Sequence, residues 1–373
     1  MIDIPEPEYQ TKAKHSFIVR NKPFLKRICS KYGRNPDGLC VKVFYGNPLK
    51  DDEPLGKALW GDNPKPGQPK INTTVMDASK IHNILWRHGL SPRVYAVFAG
   101  RYKGKYSYKG TKVACQLTDY LGKPKPKSQG QIDSVIDRVV KIGGQYSFDC
   151  EKRIFNARDI IGGKIVDVQP FNFNKGYKEK VKKIYIEKGR YGKVYYQDVP
   201  ELGLKGGPRK SLDRIKYLKL EGVSFNGKVV WDIGMAGGFF CRYASQRGAK
   251  RVIGIDKAKP VEAAFHLGNY LGHFNVDYME ANLKQWRPPP EIPRADILLF
   301  LSENLHVGVP VWLREARFVV FEDNSREGRK RDKLGRPWTD WFSNIKFIGR
   351  AKDHGQKSIY WFSNDIAIEN GFD

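Results

Sequence analysis

Long apolar runs, a leader pattern and paired cysteines are all missing from this chain of 373 residues. No stretch approaches the roughly 20 apolar residues of a membrane-crossing helix, so a helical membrane protein is excluded. The start, Met1-Ile2-Asp3-Ile4-Pro5-Glu6-Pro7-Glu8, lacks the basic-then-apolar order of a secretory leader. Five cysteines (Cys29, Cys40, Cys115, Cys150, Cys241) form an odd set with no C-x-x-C pair. They read as reduced thiols of a cytoplasmic protein. No histidine stands at ligand spacing to them, so no zinc site and no other metal is expected. Internal repeats are absent as well.

Positive charge is abundant. Lys and Arg outnumber Asp and Glu by 66 to 40, a net charge of +26. Residues 1–204 hold 38 of the basic and 20 of the acidic groups, so most of the excess lies there. Such a field draws polyanions to the surface, which makes nucleic acid a candidate partner through phosphate contacts. Aromatic residues interleave with the basic ones in Arg101-Tyr102-Lys103-Gly104-Lys105-Tyr106-Ser107-Tyr108-Lys109 and in Lys182-Lys183-Ile184-Tyr185-Ile186-Glu187-Lys188-Gly189-Arg190-Tyr191. Two readings stand side by side: rings on which bases stack, or solvated β-hairpins with alternating Lys and Tyr.

The most informative segment is Val230-Trp231-Asp232-Ile233-Gly234-Met235-Ala236-Gly237-Gly238-Phe239-Phe240. It reads as a buried strand, a glycine turn and a helix start. A second strand, Arg251-Val252-Ile253-Gly254-Ile255-Asp256, ends in a carboxylate 24 residues after Asp232. Glycines at 234, 237 and 238 remove side chains where the backbone must turn and lie close to a ligand. A carboxylate at a strand end is a charged acceptor for ribose hydroxyls. A dinucleotide turn would read G-x-G-x-x-G, whereas here the glycines are Gly234-x-x-Gly237-Gly238 with an acid two positions before. An ordinary strand–helix–strand crossover is the plain alternative.

Downstream, Lys259 to Leu271 has helical spacing with Val261, Ala264, Phe265 and Leu267 apolar. Val276 to Leu283 reads as a third strand and its exit. Ala295 to Leu301 reads as a central parallel strand, apolar on both faces. Arg317 to Glu322 is a fifth strand, and Ile345–Gly349 with Ser358–Phe362 a closing pair.

From about Tyr195 onward the chain resembles a class I methyltransferase dependent on S-adenosylmethionine (SAM). The approach segment Tyr196-Gln197-Asp198-Val199-Pro200 through Arg214 is similar to the lead-in of some of these enzymes. The resemblance implies a seven-stranded Rossmann-like α/β sheet over 195–373, with SAM as cofactor. It implies cofactor contacts at Asp232 (the methionine amino group), Gly234, Met235, Gly237, Gly238, Asp256 (the ribose) and Ser302. Met235-Ala236 departs from the small or polar residue common in relatives. Asn282, with Glu280 second, is the candidate for the adenine edge; both facing solvent is the alternative.

The acceptor is less legible. Strand ends in open α/β sheets face ligands, which places Ser302-Glu303-Asn304-Leu305-His306 toward the methyl group. No D/N-P-P-Y/F loop marks base-amino methylation, and no Pro-Cys pair marks C5-pyrimidine chemistry. His306 is the general-base candidate, because its intrinsic pKa lies near neutrality, and Glu303 is a group to orient it. A structural histidine is the alternative. Glu322-Asp323-Asn324 is a second polar strand end, and it stands where a Lys-Asp-Lys-Glu ribose methyltransferase would need lysine. The pattern favours O- or N-methylation of a polar acceptor.

Residues 1–194 read as a basic α+β domain. Strands are expected at His15–Arg20, Leu39–Tyr45, Val94–Phe98 and Val113–Thr118, with a helix from Asp77 to His88. The order resembles an abbreviated protein-kinase-like domain. Lys42 stands for its phosphate-binding lysine, Asp149 and Asn156 for its catalytic loop, and Asp167 for its metal-binding acid. A glycine-rich phosphate loop and a helix glutamate for Lys42 are both missing, and Asp149 and Asn156 stand seven residues apart instead of five. An inactive, substrate-recruiting module is the expectation. Two further readings remain: a nucleic-acid-binding protein with the methyltransferase fold as scaffold, and a small-molecule or sugar O-methyltransferase. Leu121–Gly130 and Asn324–Arg336 read as linkers.

Overall fold

The computed structural model describes residues 2–7, 16–44, 75–102, 111–122, 128–146, 148–149, 160–161, 164–165, 172–173, 176–188, 190–191, 194–195, 197–204, 210–301, 309–323, 342–351 and 357–363. The chain forms two compact units, 1–180 and 181–373.

Unit 1 holds β1 (Ile2–Ile4), β2 (Ser16–Val19), α1 (Lys22–Lys31), β3 (Leu39–Phe44), α2 (Val75–Arg87), β4 (Val94–Tyr102), β5 (Thr111–Asp119) and α3 (Gln129–Tyr146). Short strands β6 (Phe148–Asp149), β7 (Ile160–Ile161), β8 (Lys164–Ile165) and β9 (Asn172–Phe173) follow. The main sheet runs β1-β4-β5-β3-β2. All its pairs are antiparallel except β1 with β4.

Alternation along β3 divides its side chains. Leu39, Val41 and Val43 share a core with Phe24, Leu25, Ile28 and Cys29 of α1. Lys42 lies on the other face, opposite Gln116 of β5, and Gln116 donates to Ser79 Oγ on α2 at 2.6 Å. Helix α1 was not anticipated from the sequence. Its start has a local cause: the Asn21 side chain accepts from Phe24 N at 3.0 Å, and a proline occupies the first turn. The small ladders pair β6 with β9 and β7 with β8.

Helix α4 (Tyr177–Lys188) contains the division between the units. It corrects the hairpin reading of Lys182–Lys188. Val181, Ile184 and Tyr185 are buried, and their spacing of three and four places them on one helical face. The alternation of Lys and Tyr misled because the same segment also satisfies the helical period. A hairpin does follow, β10 (Arg190–Tyr191) against β11 (Val194–Tyr195).

Unit 2 continues with α5 (Ser211–Tyr217), β12 (Val229–Ile233), α6 (Phe239–Gln246), β13 (Arg251–Asp256), α7 (Ala258–Tyr270), β14 (Val276–Glu280), β15 (Ile297–Leu301), β16 (Phe318–Asp323), β17 (Asn344–Arg350) and β18 (Ser358–Ser363). Its seven-stranded sheet runs β14-β13-β12-β15-β16-β18-β17. The first five strands are parallel and β18 is antiparallel to both neighbours. The order reverses between β12 and β15, the switch point where open α/β sheets bind ligands. Strands β12, β15 and β16 are buried along their whole length, as expected for parallel strands covered on both faces.

One face carries Val230, Met235, Phe240, Cys241, Val252, Val261 and Leu299. The other carries Trp231, Ile253, Leu298, Phe300, Trp286 and Trp312. Trp286 stands 5.8 Å from Trp231 and 5.0 Å from Trp312, which anchors the segment after β14 against the sheet.

Candidate functional site

The site is built at the carboxyl ends of β12 and β13. The turn from Gly234 to Gly238 joins β12 to α6 and takes three left-handed residues, Gly234 (φ 71°), Ala236 (φ 52°) and Gly238 (φ 73°). For Ala236 that conformation is unfavourable, so the surroundings must hold it. Asp256 does so across the strand boundary: its Oδ2 accepts from Ala236 N at 2.8 Å and its Oδ1 from Lys257 N at 2.7 Å. Gly234 N donates to Ile255 O at 2.9 Å. The first and second strand ends are thereby joined into one unit. Burial raises the Asp256 carboxyl, with the Lys257 and Ala236 amides opposing.

A carboxylate offers about four lone-pair sites. Two amides therefore leave Asp256 acceptor capacity for a diol. Among the N–H groups of Gly234 to Phe239, that of Gly237 alone has no acceptor among the described residues. An orphaned buried donor beside a strand-end carboxylate fits an adenosine-and-amino-acid ligand such as SAM.

Asp232 is 1% exposed and accepts from Cys241 Sγ at 3.2 Å. Burial pushes its carboxyl up to about 7, against the Cys241 thiol and the Arg214 charge, which favour ionisation. The Met235 side chain is buried against Cys241 Sγ, 3.8 Å from its sulfur. What the site takes from Met235 is its backbone.

Gly237 is the point of closest approach. A Cβ there would overlap the Tyr185 hydroxyl and lie 2.7 Å from ring atom Cζ. Tyr185 comes from the 181–188 part of α4, which is also tied to α7 by Lys188–Glu262 at 3.4 Å. Burial pushes the Tyr185 phenol up to about 12, with the Arg242 charge opposing. Arg242, 2% exposed, donates from Nη1 to Gly237 O at 2.7 Å. Neither Tyr185 nor Arg242 was singled out from the sequence.

At the end of β14, Glu280 and Asn282 are exposed. Asn282 Oδ1 accepts from Lys284 N at 3.2 Å, and its carbonyl accepts from Gln285 N and Trp286 N. It shapes the turn that leads to the tryptophan cluster. Glu322, at the second polar strand end, is 1% exposed and bound to Arg214 Nη2 at 2.6 Å. Its carboxylate is engaged by α5, a partner 108 residues away. Ser302, Glu303 and His306 lie outside the described residues, as do Asn156 and Asp167. In unit 1, Asp77 pairs with Lys80 at 3.1 Å.

No family model matches the chain and no curated protein sequence resembles it. Among solved structures it is similar to the bifunctional kinase-methyltransferase WbdD, with 19% identity over 49% of this chain and 46% of that one, at a TM-score of 0.38. It is also similar to a SAM-dependent methyltransferase from Aquifex aeolicus, with 16% identity over 52% of this chain and 98% of that one, at 0.30. A third is the N-terminal domain of EvdMO1 with SAH and D-fucose, 11% identical over 50% and 94%, at 0.36. The match spans about half the length of WbdD. At such distances the functional reading rests on the strand order and turn geometry above.

Proposed function

We propose that unit 2 is a SAM-dependent methyltransferase module acting on a polar oxygen or nitrogen acceptor. The observation that carries this reading is the Asp256 carboxylate, which ends β13 and also holds the strained Ala236 amide of the turn after β12. One group thereby sets the ribose acceptor and the glycine turn in a fixed relation, at the switch point of the sheet.

The assignments are Asp256 to the ribose hydroxyls, the Gly234–Gly238 turn and Asp232 to the amino-acid end, and Asn282 to the adenine edge. SAM supplies an electrophilic methyl group on a sulfonium. The remaining work, aligning the acceptor and removing its proton, falls to the loop after β15, with His306 as base and Glu303 to orient it. Titration of the full chain with S-adenosylhomocysteine (SAH) tests the reading. Micromolar binding that is lost in Asp256→Ala is the expected result; no binding by the wild-type chain refutes it.

Unit 1 is proposed to recruit the substrate. Lys42 shares a sheet face with Gln116, which bonds α2, in keeping with a kinase-like lysine facing its helix. Asp77 is engaged by Lys80, in keeping with an inactive module. The excess positive charge of residues 1–204 is the feature behind proposing a polyanionic acceptor such as nucleic acid. Steep weakening of acceptor binding with salt supports that partner; a flat response favours a sugar or other small hydroxyl acceptor.

A further inference from the structure

A helix start leaves its first N–H groups without intrahelical partners, and the residue before the helix ordinarily supplies an oxygen. At α6 that residue is Gly238, which has no side chain and makes no cap bond. Nor is a capping side chain easily placed there. Gly238 is left-handed, and a Cβ would lie 2.9 Å from Ala264 Cβ. The turn that packs so closely against Ala264 therefore forfeits its own cap.

The missing oxygen comes from 42 residues upstream: Phe239 N donates to Gln197 Oε1 at 3.0 Å. The same amide returns a bond to the other end of the turn, Gln197 Nε2 donating to Met235 O at 3.1 Å. Gln197 is 3% exposed, so water does not replace either bond cheaply. An amide is suited to this task because it carries a donor and an acceptor on one rigid plane. The neighbouring residue ties the segment down, since Asp198 Oδ2 accepts from Ser211 N at 3.0 Å at the start of α5.

We propose that Gln197 is a positioning residue. It clamps the Met235–Phe239 turn in trans and so sets the affinity of the cofactor site. The proposal rests on the methyltransferase reading and adds the segment before the sheet as a working part of the site.

The test uses the full chain and two readouts. In Gln197→Ala, SAH affinity falls roughly 10- to 100-fold, the scale of two buried groups left unpaired. Amide hydrogen exchange without cofactor separates positioning from general weakening. Phe239 N–H exchanges faster in Gln197→Ala, while Trp231 to Ile233 of β12 keep their protection. Wild-type binding that persists unchanged in Gln197→Ala overturns the inference alone. Equal exchange gains throughout β12 also overturn it, since they mark a structural role only. A wild-type chain that binds no SAH removes the functional reading and the inference together.

Discussion

Replacing Arg214 by methionine removes the guanidinium from one of the most buried charges in unit 2. Arg214 and Glu322 are 3% and 1% exposed and 2.6 Å apart. Breaking a pair buried to this degree costs about 3–5 kcal/mol, because the remaining charge stays out of water. For a unit of this size, each kcal/mol moves the midpoint by about 2–4 °C, so thermal unfolding should fall by roughly 6–20 °C. Glu322→Leu should cost a similar amount, since it leaves the Arg214 guanidinium buried and its Nε already has no partner among the described residues. The double variant Arg214→Met/Glu322→Leu exchanges the pair for apolar groups and should recover most of the loss. Lys188–Glu262, 36% exposed on each side, is the control, with an expected cost below about 1 kcal/mol. Calorimetry of all five proteins decides. An Arg214→Met loss no larger than that of the control, or a double variant as unstable as the sum of the singles, refutes the argument.

Three further outcomes are expected. Gly237→Ala drives a methyl into Tyr185 and should cost about 1–3 kcal/mol, of which Tyr185→Phe restores part by removing the hydroxyl; an undisturbed melting curve contradicts the close approach. With its carboxyl pushed from 3.8 up to about 7 by burial, Asp232 leaves stability intact below pH about 4 and erodes it as pH rises to 7. The total is about 4 kcal/mol at ~1.4 kcal/mol per unit, and Asp232→Asn should flatten that slope in denaturant titrations run from pH 4 to 8. His306→Ala should abolish turnover while SAH affinity is kept; unchanged turnover removes His306 as the base.

The seven strands of the large sheet of unit 2 were legible because each is a local pattern. Ile297–Leu301 is an unbroken apolar run and Val229–Ile233 is broken only by Asp232, and a run of that length buried on both faces is a strand. The glycine turn and Asp256 were legible for a similar reason, since left-handed backbone and a strand-end acid leave their mark within a few residues. In unit 1 the basic composition was plain, yet α1 was missed: its apolar face, Phe24, Leu25, Ile28 and Cys29, is interrupted by lysines and an arginine. Over Lys182–Lys188 the alternating and helical periods coincided, and only packing of Val181, Ile184 and Tyr185 chose between them.

The sequence by itself thus determined the parallel sheet, the turn and the carboxylate that faces it. Tertiary structure decided what holds them. Gln197 reaches both ends of the turn, Tyr185 fills the space beside Gly237, and Arg214 engages Glu322 across 108 residues. A hydrogen bond between distant residues leaves no periodicity along the chain. A buried amide or guanidinium reads as an ordinary polar residue until folding removes the water and leaves one partner within reach.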